Sequence, residues 1–263
     1  MVSSHSPVPA QSAPVLLDID GTTAHLVLNR PNHSNAIDMA LAVAFADAVA
    51  EIERSPELTL VIIRAAGRNF CAGGDVAAMA AAHDTGAFIA ELAGRMHTAL
   101  LALSRLNVPV IAVVQGAAAG GGLGLVLAAD MVLCSETARF LTAYSAVGLS
   151  PDCGVSYWLP KTIGMGRAMQ MTLTNRVIDA DTAWDWGLVA QVAPAAELDR
   201  QLQALIARLN VTATQALGQS RCLLRTSPTQ SLSDHLNREA ASISQLAAGS
   251  SARTLINEFV SPA

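Results

Sequence analysis

The chain has 263 residues, of which 52% are hydrophobic and only 14% charged. That length suits one large domain, or one domain with an appendage. With 16 basic against 21 acidic residues the net charge is −5, and no Lys/Arg stripe forms, which argues against nucleic acid as a partner.

So apolar a composition predicts that part of the surface meets other subunits. Cys71, Cys134, Cys153 and Cys222 form no CxxC pair and no zinc pattern, and read as thiols of a reducing cytoplasm. The six histidines are scattered without metal-ligand spacing, so no metal is expected. Residues 1–13 have neither a charged nor an apolar leader segment and read as a disordered tail.

Taken in chain order, Val15–Asp20 and Thr23–Asn29 flank Asp20-Gly21, a hairpin turn signal. Asp38 is placed to cap a helix running to about Arg54, with Leu41, Ala44, Phe45, Ala48, Val49 and Ile52 on one face. A strand over Thr59–Ala65 leads into a glycine turn, Phe70 to Asp75, and then an apolar helix. Phe88–Leu106 reads as a long amphipathic helix ended by Pro109. The β-branched run Val110–Val114 then breaks into five glycines between Gly116 and Gly124, followed by a helix over Leu123–Ala129 and a strand over Met131–Ser135. The uncharged stretch Val108 to Ala129 is long enough to span a bilayer. Pro109, Gln115 and the glycines interrupt it, and a membrane span is not expected. From Gly166 onward the pattern is almost wholly helical. Alternating strands and helices predict an α/β fold whose sheet is largely parallel and covered by helices.

Three motifs compete for function. Asp18-Ile-Asp20-Gly21-Thr22 matches the D-x-D-G-T of haloacid-dehalogenase-type phosphatases, but the distal Lys and downstream acidic pair of that magnesium site are not found. The Asp-Gly hairpin explains the same residues. The triple glycine Gly120 to Gly122 fits neither phosphate-loop fingerprint, since no G-K-[ST] follows and Gly124-x-x ends on Leu127. The third reading is chemical. Two strand–turn–helix junctions can each aim a main-chain N–H at one oxygen, an arrangement that holds developing negative charge.

Leu28 to Pro31, Asn35-Ala36, Asn69 to Asp75, Gly116 to Gly124, Ala129-Asp130 and Ala138 to Phe140 together resemble the crotonase (enoyl-CoA hydratase/isomerase) superfamily, particularly its ring-epoxide isomerase group. The resemblance implies a crotonase-like spiral core over 14–200, a helical C-terminal oligomerisation region over 201–263 and a cytoplasmic homotrimer or hexamer. Coenzyme A would enter as part of the substrate, with no separate cofactor. It implies an oxyanion hole made by the N–H groups of Ala72 and Gly121, and substrate or CoA contacts from Arg30, Ala36, Arg68, Gly74, Asp75 and Tyr144. The two glutamates with which hydratases of the family handle water fall here on Gly124 and Tyr144, so both carboxylates are missing. Asp152 stands where double-bond-shifting members carry an acid, which makes it the expected proton shuttle. The expected activity is therefore an acyl-CoA isomerase. Two alternatives stay open: a hydratase with a non-standard water-activating group, and a non-catalytic acyl-CoA-binding homologue.

Overall fold

A computed structural model describes residues 13–210 and 213–261. Of the tail expected over 1–13, residues 1–12 lie outside the described residues. β1 (Val15–Asp20) and β2 (Thr23–Leu28) form the expected antiparallel hairpin, with Asp20 opposite Thr23 and Gly21 at φ +58°. Asp18 and Asp20 are exposed on it, so the D-x-D-G-T string is turn chemistry. Asp38 accepts from the Leu41 N–H at 2.8 Å and starts α1 (Met39–Glu53).

β3 (Leu60–Ala65), α2 (Val76–Ala81), α3 (Thr85–Arg105) and β4 (Val110–Val114) follow. The chain then runs through β5 (Ala117–Ala119), α4 (Gly121–Ala128), β6 (Met131–Ser135) and β7 (Arg139–Leu141). β2, β3, β4 and β6 pair in parallel, completing the order β1-β2-β3-β4-β6-β9 with β9 (Gln191–Ala193) at the far edge. A second sheet joins β5 to β7 in parallel and β7 to β8 (Ile178–Asp179) in antiparallel pairing. The helical stretch expected from Gly166 thus contains two short strands. Each completes a sheet edge, and two or three residues are too few to carry a period of their own.

Both faces of the main sheet are covered, which is why its strands read as continuous apolar runs. Val61, Ile63, Val110, Ala112 and Val114 face the core filled by Leu41, Phe45, Val49, Met96 and Leu103. Leu60, Ile62, Ile111, Val113 and Leu133 face Leu198 and Leu202 of α8 (Leu198–Asn210). The run Val108 to Ala129 is split among β4, β5 and α4, and among the described residues no helix is long and apolar enough to cross a membrane.

In chain order α5 (Val155–Ile163), α6 (Met165–Thr174) and α7 (Ala180–Asp185) precede α8. α9 (Thr214–Thr226), α10 (Leu232–Ala248) and α11 (Ser250–Val260) close the chain. α9 is fastened by Arg221, whose side chain is 4% exposed. Its guanidinium donates to Asp130 Oδ2 at 2.6 Å and to the carbonyls of Leu103, Ser104 and Leu106 at the end of α3. Asp130 also takes the Val110 N–H at 2.7 Å and Arg225 Nε at 2.6 Å. One carboxylate and two arginines therefore tie α9 to the C-terminal end of α3 and the start of β4. Arg221→Met is expected to lower unfolding stability by about 2–4 kcal/mol, because buried carbonyls lose their donor while Arg225 still neutralises Asp130. Urea unfolding followed by circular dichroism measures it, and a change within about 0.5 kcal/mol would mean the tether is dispensable.

Candidate active site

The site is built where two glycine turns meet. The first, 70–75, joins the second sheet: Cys71 N–H donates to Ala117 O at 3.0 Å, and Ala119 N–H donates to Cys71 O at 2.9 Å. Asn35 and Asn69 brace it from behind. Fully buried Asn35 accepts from the Arg30 N–H and donates to the carbonyls of Ala66 and Asn69. Asn69 accepts from the Ala117 N–H and donates to Ser34 Oγ. These bonds explain why asparagines, with a donor and an acceptor on one planar amide, occupy both positions.

In the same brace the Ala72 N–H donates to Ser34 O at 3.0 Å. Ala72 was the expected oxyanion donor, and that amide is already spent. The next residues supply the correction. Ile37 N–H donates to Gly73 O at 2.7 Å and Asp75 N–H to Ile37 O at 2.9 Å, a parallel bridge register that turns the intervening Gly74 N–H away from Ile37. Among the described residues neither the Gly74 N–H nor that of Gly121, at the first turn of α4, donates a hydrogen bond. Both glycines line one cavity of about 510 Å³. The free amide pair is therefore Gly74 and Gly121.

The rest of that cavity is largely apolar, with Ile37, Val76, Met79, Leu92 and Met96 among its walls, and among the described residues Asp152 is the one carboxylate on it. Ala72 and Tyr144 line it as well, whereas Arg30, Ala36, Arg68 and Asp75 do not. Arg30, expected on the path of CoA, is engaged elsewhere: it ion-pairs with Asp38 at 2.9 Å and Asp75 at 3.2 Å and also donates to Ala36 O. Asp75 caps α2 by accepting the Ala78 N–H at 3.1 Å. Burial pushes the Asp75 carboxyl up, but the Ala78 bond and the Arg30 guanidinium outweigh it, leaving the group below the usual carboxylate range. Arg68 is exposed and forms no ion pair among the described residues.

Asp152 is held at three points. Tyr144 Oη donates to the Asp152 carbonyl at 3.0 Å. Burial pushes the Tyr144 phenol up, so it stays a hydrogen-bond donor at neutral pH and has no part as a base. The next residue, Cys153, sits at φ +52° and Gly154 at φ +75°, two left-handed positions that swing the chain from the cavity wall into α5. Such backbone costs about 1–3 kcal/mol at a non-glycine residue and persists only where neighbours enforce it.

The enforcing neighbour is α4. A Cβ on Gly124 would stand 2.5 Å from Cys153 O and 2.6 Å from Cys153 Cβ, so the loop rests on bare helix backbone. Gly122 receives the first turn in the same way, its absent Cβ falling 2.4 Å from Cys71 O. The two positions where hydratases would keep glutamates thus seat the Asp152 loop here. Burial pushes the Cys71 thiol up to about 12 and raises Cys153 as well, so both thiols are inert packing groups at neutral pH.

The third point was not anticipated from sequence. His97 Nε2 lies 2.5 Å from Asp152 Oδ1. His97 falls four residues after Ala93 and eight after Ile89, both cavity residues on α3, so the helix period was the signal available.

Two main-chain amides without an acceptor among the described residues and one carboxylate thus line the same largely apolar cavity. Comparison with known proteins defines the family. The enoyl-CoA hydratase/isomerase family model matches residues 18–260, and the chain belongs to that family. It is 32% identical over 231 residues to 1,2-epoxyphenylacetyl-CoA isomerase of Escherichia coli (strain K12), covering 86% of this chain and 87% of that protein. It is 34% identical over 194 residues to a "probable enoyl-CoA hydratase" of Rhodobacter capsulatus, covering 73% of each. An enoyl-CoA hydratase/isomerase structure from Mycobacterium abscessus superposes with a TM-score of 0.89 at 33% identity, covering 94% of this chain and 96% of that one. The architecture is thus the expected crotonase fold, an α/β core with C-terminal helices.

Proposed function

We propose that the protein is an acyl-CoA isomerase that shifts a double bond through a thioester enolate. The observation that carries the reading is the single carboxylate, Asp152, on a cavity whose free main-chain donors are Gly74 and Gly121. In the proposed reaction Asp152 takes the proton from the carbon next to the thioester of a 3-enoyl chain. The released electron pair moves onto the thioester oxygen, where the two N–H groups hold it. Asp152 then returns a proton to the far end of the allylic system as the enolate collapses, leaving a 2-enoyl thioester. No water enters the balance, and one base suffices.

Donors aimed at an oxyanion favour it over the neutral carbonyl, which is the differential binding that accelerates the step. The apolar walls favour a hydrocarbon or ring acyl group. Exposed Arg68 is the proposed contact for a CoA phosphate, beside the main chain near Ala36. Arg30 and Asp75 act behind the turn as a brace. The exposed apolar residues Leu232, Leu236, Ile243, Leu255 and Phe259 on α10 and α11 support self-association, in keeping with a homotrimer or hexamer.

A second reading has its own support. An imidazole against a carboxylate can polarise water, so His97 with Asp152 is the non-standard activating group a hydratase would need. A panel of 3-enoyl-, 3,5-dienoyl- and aromatic-ring CoA thioesters, with crotonyl-CoA for hydration, separates the two. The isomerase reading expects double-bond migration in at least one of the first three and no hydration of crotonyl-CoA. Hydration as the main activity would overturn it in favour of the second reading.

A further inference from the structure

Asp152 offers two oxygens, and their surroundings differ. Among the described residues the one hydrogen-bond contact of Oδ2 is the Cys153 thiol, at 3.7 Å. Oδ1 is met by His97 Nε2 at 2.5 Å. The imidazole is half exposed and is not among the residues that wall the cavity, so it meets the carboxylate from outside the acyl site. Its platform is firm: α3 also carries Leu92, Met96, Ala99 and Leu103, all buried. The contact joins α3 to a loop 55 residues away in sequence.

An ionised carboxylate can only accept hydrogen bonds, so Nε2 must be the donor in this contact whether the ring is neutral or charged. The donor role also survives proton capture, because an acid protonated on Oδ2 keeps Oδ1 as a carbonyl acceptor.

We propose that His97 is a positioning residue that reserves Oδ2 of Asp152 as the proton-carrying oxygen. With Oδ1 engaged by Nε2–H, the proton taken from carbon is carried preferentially on Oδ2. It is delivered from there to the second carbon before water reaches it. The ring thus does two things through one bond: it fixes the carboxylate plane, and it closes the outer route by which an acid proton would exchange with solvent. This inference rests on the isomerase reading of the site and adds the fate of the transferred proton to it.

The test uses a 3-enoyl-CoA deuterated at C2 and turned over in ordinary water, with product deuterium at C4 read by mass spectrometry. Wild type is expected to retain most of the label. His97→Leu is expected to lower kcat about tenfold to a hundredfold, the scale of a small misplacement of a reacting group, with KM unchanged and most of the label lost to solvent. His97→Gln, which keeps an N–H donor without a titratable ring, is expected to recover both kcat and label retention.

Equal retention in wild type and His97→Leu would overturn the proposal, as would a wild type that already loses its label. A His97→Gln enzyme no better than His97→Leu would do the same. A wild type that isomerises no thioester would instead remove the isomerase reading itself. Half exposure of His97 makes misfolding of either variant an inadequate explanation, and the KM of each checks that the acyl site is intact.

Discussion

Asp152→Asn is expected to lower kcat for double-bond migration by about 10²–10⁴-fold, the usual worth of a general base, with KM within a few-fold of wild type. Asparagine keeps the shape of the side chain and an oxygen to accept from His97. It cannot take a proton from carbon. Among the described residues Asp152 is the one carboxylate on the cavity wall, and none of them offers a second acid there to stand in. The neighbouring Cys71 and Cys153 thiols, both raised by burial, offer no thiolate near neutral pH. A steady-state comparison on the best thioester of the panel gives the answer. A kcat within about tenfold of wild type would show that the proton moves by another group.

Gly124→Ala is the second large effect, and it acts on the base without touching it. The added Cβ would lie 2.5 Å from Cys153 O and 2.6 Å from Cys153 Cβ, closer than such atoms approach, so the loop must lift. Main chain on both sides of the contact leaves no flexible side-chain end to yield. A displacement of about 1 Å in a reacting group costs on the order of 10²-fold in rate, and overpacking of this kind costs about 1–3 kcal/mol in stability. Gly94→Ala is the control, because on exposed α3 backbone its Cβ meets nothing within 4 Å. That change is expected to leave kcat unaltered and Tm equal or slightly raised. A Gly124→Ala enzyme with wild-type kcat would mean that α4 does not set the depth of Asp152. By the same contact a glutamate placed at 124 is expected to displace the loop instead of adding a second carboxylate to the site.

Much of this was legible in the sequence, for local reasons. The hairpin at Gly21, the Asp38 cap and the parallel strands each depend on residues close together or on a periodic apolar pattern, and the structure repeats them. Asp152 was legible because its motif is contiguous. The short strand Ala117–Ala119 was not, since three alanines carry no strand preference and pair only because β7 lies beside them.

The identity of the free amide was equally hidden. Ala72 and Gly74 stand two residues apart in the same turn, and the choice between them is made by Ser34 O, which takes the Ala72 N–H. Arg30 was placed near CoA by resemblance, but two carboxylates from separate segments, Asp38 and Asp75, claim it in the fold. His97 needed a contact across 55 residues. The helix period places His97 near the cavity, but which polar groups pair with one another is set by the fold and not by local sequence.

The central claim is that Gly74 and Gly121 hold a thioester enolate while Asp152 moves the proton. Its most direct measurement is exchange of the C2 protons of a saturated acyl-CoA in D₂O, followed by NMR, with binding of the same thioester measured in parallel. Because a saturated chain offers no C4 to receive the proton, the acid form of Asp152 outlives an ordinary turnover, so wild type should exchange those protons slowly over hours, whereas Asp152→Asn should bind the thioester equally well yet fail to exchange them. Exchange at the wild-type rate in Asp152→Asn would contradict the enolate chemistry outright.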